Sequence, residues 1–74
     1  MSLSSPASIT LWVNGEPCLC PESTLLPDFL HQQGFNSRLI AVEYNGDILH
    51  RQYWNQTRLQ AGDRLEVVTI VGGG

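Results

Sequence analysis

Every second residue from Ile9 to Val13 is aliphatic, the period of a β-strand with one face on a core. Asn14-Gly15 follows, the dipeptide that most strongly favours a two-residue hairpin turn. Such a turn sets Val13 opposite Glu16, Leu11 opposite Cys18 and Ile9 opposite Cys20. It gathers Ile9, Leu11, Val13, Cys18 and Cys20 on the core face. Pro17 has no amide hydrogen to give a neighbouring strand, so the second strand is expected at the sheet edge. Pro21-Glu22-Ser23-Thr24 breaks that strand, and Ser23 or Thr24 is expected to cap a helix, with Pro27 tolerable only near its start. Leu26, Phe29 and Leu30 form a narrow apolar stripe at helical spacing, continued by Gln33. Gly34 is expected just beyond the last turn, where a left-handed residue ends the helix, with Phe35 closing over it.

The second half repeats the strand signals. Leu39 to Tyr44 is rich in β-formers, Asn45-Gly46 is another hairpin turn, and Ile48-Leu49 starts a short return. Gln52 to Thr57 is polar around Tyr53 and Trp54, which predicts a helical turn or loop with Trp54 plugging the core beneath it. Ala61-Gly62-Asp63 makes the last turn before Leu65 to Val71, the longest strand. Leu65, Val67, Thr69 and Val71 share one face; Glu66, Val68 and Ile70 share the other. Both faces are largely apolar, which predicts a central strand. A single helix covers only one face of a sheet, so Val68 and Ile70 are expected on an exposed apolar surface of the kind that marks a partner site. The order hairpin, helix, strand pair, loop, strand predicts an α+β domain. With the last strand parallel beside the first, this is a β-grasp, or ubiquitin-like, fold: a mixed sheet of about four to five strands with one helix packed across it.

Composition narrows the chemistry. Seventy-four residues suffice for one domain with a thin core. The basic residues are Arg38, Arg51, Arg58 and Arg64, lysine is absent, and the net charge is -3. That balance argues against nucleic acid and anionic membrane surfaces, which select clustered positive charge. The lack of lysine excludes a phosphate-loop lysine or a Schiff base within these residues. No apolar run approaches the roughly 20 residues of a membrane helix, and the start lacks the pattern of a signal peptide. Residues 1–7 read as a loose leader, 8–71 as the folded domain and 72–74 as a flexible tail, in a cytoplasmic protein. Cys18 and Cys20 are too few for a metal site, so no metal is expected; they read as small buried hydrophobes, with a redox or sulfur-relay role as the alternative. His31 reads as a helix residue near the negative dipole end, and His50 is isolated. Arg51 and Arg64 are either solvated or paired with acidic groups of a partner, and Asp63 and Glu66 serve turn and rim. With no nucleophile–base pair, metal cluster or phosphate loop, an enzyme is not expected.

The most telling chemistry is Val71-Gly72-Gly73-Gly74. Glycine has no Cβ, so such a run is slender and conformationally free. It suits threading into another protein's narrow site to present the carboxylate of Gly74. The ensemble Val13-Asn14-Gly15-Glu16, Ala41-Val42-Glu43, Asn45-Gly46, Ile48, Arg51, Trp54, Leu59, Gly62-Asp63, Leu65-Glu66, Val68 and Val71-Gly72-Gly73-Gly74 resembles the sulfur carrier protein of thiamine biosynthesis, the ThiS family, from Ile9 onward. The long leader and Pro27 depart from that pattern. The resemblance implies a carrier that is acted upon and binds no cofactor of its own. A ThiF-like enzyme, using ATP and magnesium, adenylates the carboxylate of Gly74. Sulfur from a persulfide donor then replaces AMP, and thiazole synthase (ThiG-like) takes the sulfur from the thiocarboxylate. Gly73 and Gly72 form the thread, and Val68, Ile70 and Val71 are the candidate partner contacts. Two alternatives stay open: the small subunit of molybdopterin synthase, whose tail typically bears a proline lacking here, and a ubiquitin-like module that binds without transferring anything.

Overall fold

Both Asn-Gly dipeptides turn as their chemistry predicts. Asn14 and Gly15 adopt φ of 52° and 84°, and Asn45 and Gly46 adopt 52° and 93°, the left-handed pairing that matches strand twist. The computed structural model describes residues 7–70. Most of the leader (1–6) and the segment Val71-Gly72-Gly73-Gly74 lie outside the described residues.

The first turn joins β1 (Ser8–Val13) to β2 (Glu16–Pro21) in the expected register, with Ile9 opposite Cys20, Leu11 opposite Cys18 and Val13 opposite Glu16. The second joins β3 (Ile40–Tyr44) to β4 (Asp47–Ile48), a return of only two residues. Leu39, expected within β3, ends a short 3-10 turn (Ser37–Leu39) in which Asn36 Oδ1 accepts the Arg38 amide at 3.1 Å. β5 (Arg64–Thr69) lies between β1 and β3, parallel to the first and antiparallel to the second, giving the order β2-β1-β5-β3-β4. β5 is thus central and β2 an edge, as Pro17 requires. The fold is a β-grasp: a mixed five-stranded sheet crossed by one helix. The last strand stops at Thr69, two residues before the expected Val71.

The helix α1 (Leu26–Gln32) corrects the expected cap. Its N-cap is Leu25, with no side-chain cap bond. Ser23 takes a left-handed φ of 67°, and the Thr24 hydroxyl donates to the Pro21 carbonyl at 2.6 Å. Chain distant in sequence takes over the cap's task. Leu25 bridges to Arg58, the Leu26 amide donates to the Thr57 carbonyl at 2.9 Å, and the Leu59 amide donates to the Thr24 carbonyl at 2.9 Å. Pro27, in the first turn, withholds an amide that would have no partner there. At the other end the Phe35 amide donates to Leu30 O and the Gly34 amide to His31 O, each at 3.0 Å. Together with a φ of 85° at Gly34, this is the expected left-handed helix stop.

The helix stripe meets the inner sheet face. Leu11, Leu26, Phe29, Leu30 and Leu65 have no exposed surface, and Val42, Cys20, Leu59 and Ile40 lie almost as deep. Ile9, Val13 and Cys18 line the margin, half-buried against this core. Trp54, within a 3-10 segment (Arg51–Gln56), closes the core and donates its indole N–H to the Leu49 carbonyl at 2.9 Å. Arg51 is exposed, as expected of a surface charge, and is also engaged within the domain. Its guanidinium stacks 4.6 Å from the Trp54 ring centroid and donates to the carbonyls of Ser37 and Ile40. These carbonyls would otherwise face outward beside β3, so Arg51 serves the fold.

Candidate functional site

β5 presents opposite chemistry on its two faces. Leu65 and Val67 point into the core. Glu66 and Val68 point outward, and Ile70 continues the exposed surface beyond the strand, with Val68 57% and Ile70 46% exposed. Cross-strand register adds neighbours to this outer face. Ala41 lies opposite Val68, and Glu43 lies opposite both Glu66 on β5 and Ile48 on β4. Ile48 is 67% exposed. These side chains border a shallow hollow of about 220 Å³ lined by Ala41, Val42, Glu43, Ile48, Glu66 and Val68. The expectation for Val68 and Ile70 therefore holds in placement. Ile48 and Ala41 were missed, although strand alternation from Glu43 could have found them. A second apolar pair, Trp12 and Leu19, stands on β1 and β2. The signal for Trp12 was its position out of step with Ile9, Leu11 and Val13.

The start of β5 is locked from several sides. Asp63, buried, accepts the Tyr44 hydroxyl at 2.5 Å, the Gln60 amide at 2.8 Å and the Asn45 side-chain amide at 3.2 Å. Asn45 Oδ1 in turn accepts the Arg64 amide at 2.8 Å. Across the sheet, the Trp12 amide donates to Asp63 O, and the Asn14 amide to Leu65 O, both at 2.8 Å. Asn14 Oδ1 accepts the Val67 amide at 2.8 Å, prolonging the parallel ladder where β1 has already turned away. Asn14 and Asn45 thus clamp β5 in addition to making their turns. Burial, then the hydrogen bond to Asp63 and its negative charge, pushes the Tyr44 hydroxyl up to about 12. At the other end, the Ile70 amide donates to the Leu39 carbonyl at 2.6 Å, immediately before the glycine-bearing segment. A tail continuing from Ile70 starts from a fixed point.

Gly72, Gly73, Gly74 and Val71 lie outside the described residues. Cys18 is half-buried and Cys20 buried, and both are free thiols. Among the described residues no group of three or more His, Cys, Asp or Glu is placed to hold a metal ion. Nor, among these residues, is any helix long and apolar enough to cross a membrane.

A sequence model of the ThiS family matches residues 11–74. The uncharacterized protein ycf40 of Pyropia yezoensis is 41% identical over 68 residues, covering 92% of this chain and 96% of that protein. Thiazole synthase of Paramagnetospirillum magneticum is 36% identical over 64 residues, which are 86% of this chain but only 20% of that protein. Among solved structures, the thiamine biosynthesis protein (ThiS) of Geobacter metallireducens superposes with a TM-score of 0.76 at 30% identity, covering 89% of this chain and all of that one.

Proposed function

The chain belongs to the ThiS family, and from that premise we propose that it is the sulfur carrier of thiamine biosynthesis, with Gly74 as the bearer of the sulfur. The observation that carries this reading is a single family match running from the first hairpin through the terminal glycines, on a β-grasp domain whose central strand leads into them. The chain is a co-substrate. A ThiF-like enzyme brings ATP and magnesium, and the carboxylate of Gly74 attacks the α-phosphorus to give an acyl adenylate and pyrophosphate. Adenylation is needed because oxide is a poor leaving group and AMP a good one. The outer sulfur of a persulfide then attacks the acyl carbon, AMP departs, and a thiol cleaves the resulting acyl disulfide to leave the thiocarboxylate. Thiazole synthase takes the sulfur from there. Proteins named thiazole synthase carry a segment similar to this chain within about a fifth of their own length, which supports carrier and synthase working together.

The geometry adds a constraint. Four residues beyond Ile70 span at most roughly 14 Å when extended. For Gly74 to reach a buried reaction centre, the surface around Ile70 and Val68 has to lie against the enzyme. Val68, Ile70 and Val71 are therefore proposed as contacts, and Gly72 and Gly73 as the thread whose missing side chains let it pass.

The decisive experiment is the intact mass of the protein after incubation with the ThiF-like enzyme, ATP, magnesium and a persulfide source. Replacement of one oxygen by sulfur, located at Gly74 by fragmentation, is the expected result. Gly74→Val is expected to abolish it while the fold persists. Normal adenylation of that variant, or no mass change beside a positive control, would sink the assignment. Failure of thiazole synthase to accept the sulfur would transfer the protein to another sulfur-carrier pathway.

A further inference from the structure

These 74 residues hold no lysine, and all four basic side chains are arginines. Two of the four stand at the root of the tail. The Ile70 amide donates to the Leu39 carbonyl at 2.6 Å. Arg38 directly precedes Leu39, so their Cα atoms lie about 4 Å apart. Arg51 donates to the carbonyls of Ser37 and Ile40, which flank that pair, and it borders a hollow shared with Ile70. Both arginines are exposed. Arg51 requires a guanidinium, because one planar group reaches two carbonyls and covers the Trp54 ring. Among the described residues no hydrogen bond uses the Arg38 guanidinium, so a lysine ammonium would suit the fold there equally well.

The difference between the two cations is chemical. An ammonium equilibrates with a neutral amine, which attacks an activated acyl carbon. A guanidinium stays protonated, with its electrons delocalised, and does not attack. The four residues beyond Ile70 span at most roughly 14 Å, which brings Gly74 within reach of Arg38 and Arg51. So short a tether gives the joined groups an effective concentration on the order of millimolar. An amine at this place would compete with the persulfide for the acyl adenylate. Its lone pair would form a bond to the acyl carbon, the bond to AMP would break, and a proton would pass to solvent. The resulting internal amide no longer accepts sulfur.

The thiols are kept away from the tail. Cys18 lies opposite Leu11, two residues before Val13, and Val13 pairs with Leu65, five residues before Ile70. Seven steps along the sheet are about 23 Å, beyond the reach of Gly74. Cys20 is farther still and buried. His50 borders the hollow beside Ile70, but an acylated imidazole is itself an activated acyl group and stays open to sulfur.

We infer that arginine in place of lysine around the tail root is a selectivity device. It keeps positive charge beside the tail and denies the activated carboxyl of Gly74 an amine of its own chain, so that the acyl group passes to sulfur. The inference rests on the carrier reading and adds to it the residue that protects the activated end, Arg38 above all.

The test uses Arg38→Lys and, at the exposed neighbouring position, Ser37→Lys. Arg58→Lys is the comparison. The Arg58 side chain donates to the Ser23 carbonyl, just past the end of β2 that pairs with Ser8, at the end of the sheet opposite to Ile70. Each protein is incubated with the ThiF-like enzyme, ATP and magnesium, without a persulfide source, and its intact mass is followed. Arg38→Lys and Ser37→Lys are expected to accumulate a species lighter by one water, in which proteolysis shows Gly74 joined to the new amine. The unaltered protein and Arg58→Lys are expected to keep their starting mass once the adenylate has hydrolysed. With the persulfide source present, the thiocarboxylate yield of Arg38→Lys is expected to fall by the share lost to the internal amide. No internal amide in either variant at the tail root, or an equal amount in Arg58→Lys, would overturn the inference while leaving the carrier function intact. Absence of adenylation in the unaltered protein would remove the proposed function and this inference together.

Discussion

The two faces of β5 use the same backbone for opposite ends. Leu65 and Val67 are sealed against Leu11, Phe29 and Leu30, whereas Glu66 and Val68 one residue away are open to solvent. The inner face holds the domain together, and a substitution there is felt by everything packed on it. The outer face includes Val68 and Ile48, both more than half exposed, so it contributes little to folding and is free to be shaped by a partner. Stability and recognition can therefore change almost independently along a single strand.

The harshest trial of this division is on the inner face. Phe29→Ala removes the largest fully buried side chain and is expected to cost about 3–5 kcal/mol, enough to unfold much of so small a domain. Urea or thermal denaturation measures it, and a loss under 1 kcal/mol would mean that the helix is not the main cover of the sheet. Next comes the lock at the start of β5. Asp63→Ala strands the Tyr44 hydroxyl, the Gln60 amide and the Asn45 side chain, with an expected loss of about 1–3 kcal/mol.

The same lock has a signature in alkali. The folded Tyr44 hydroxyl is pushed up to about 12, above the ordinary value of 10, so the folded state holds that proton more tightly. The stabilisation is fully present below pH 10 and is lost as pH rises from 10 through about 12. Denaturation midpoints across that window should fall in the unaltered protein and fall less steeply in Tyr44→Phe. The smallest stability change belongs to the outer face. Val68→Asp is expected to shift stability by no more than about 0.5 kcal/mol, yet to suppress adenylation. A variant that unfolds, or that is adenylated normally, would break the contrast between the faces.

Local pattern accounted for the hairpins, the core stripe of the helix, its glycine stop and the central position of β5, because each follows from neighbouring residues and their φ preferences. Trp54 was legible as a core plug because a large aromatic in a polar loop has few other places to go. Less of the candidate site could be read. Val68 and Ile70 followed from alternation and a single available helix, and Ala41 and Ile48 were within reach of alternation and the second hairpin, while the opposition of Glu43 and Glu66 depends on strand register between distant segments. The surface position of Arg51 was legible, but its bonds to the carbonyls of Ser37 and Ile40 were not, because these acceptors are more than ten residues away.

By itself, then, the sequence determined which residues are apolar at which period, where the chain turns, and that a glycine run follows the last strand. Only the tertiary structure decided that backbone from 57–59 would do the work of a helix cap, that Asn14 would reach across 53 positions to the amide of Val67, and that two glutamates would face each other. The physical reason is that turns and periodicity are written in adjacent dihedral angles and side chains. A hydrogen bond or charge pair between distant residues exists only once packing has brought its two halves to the same place.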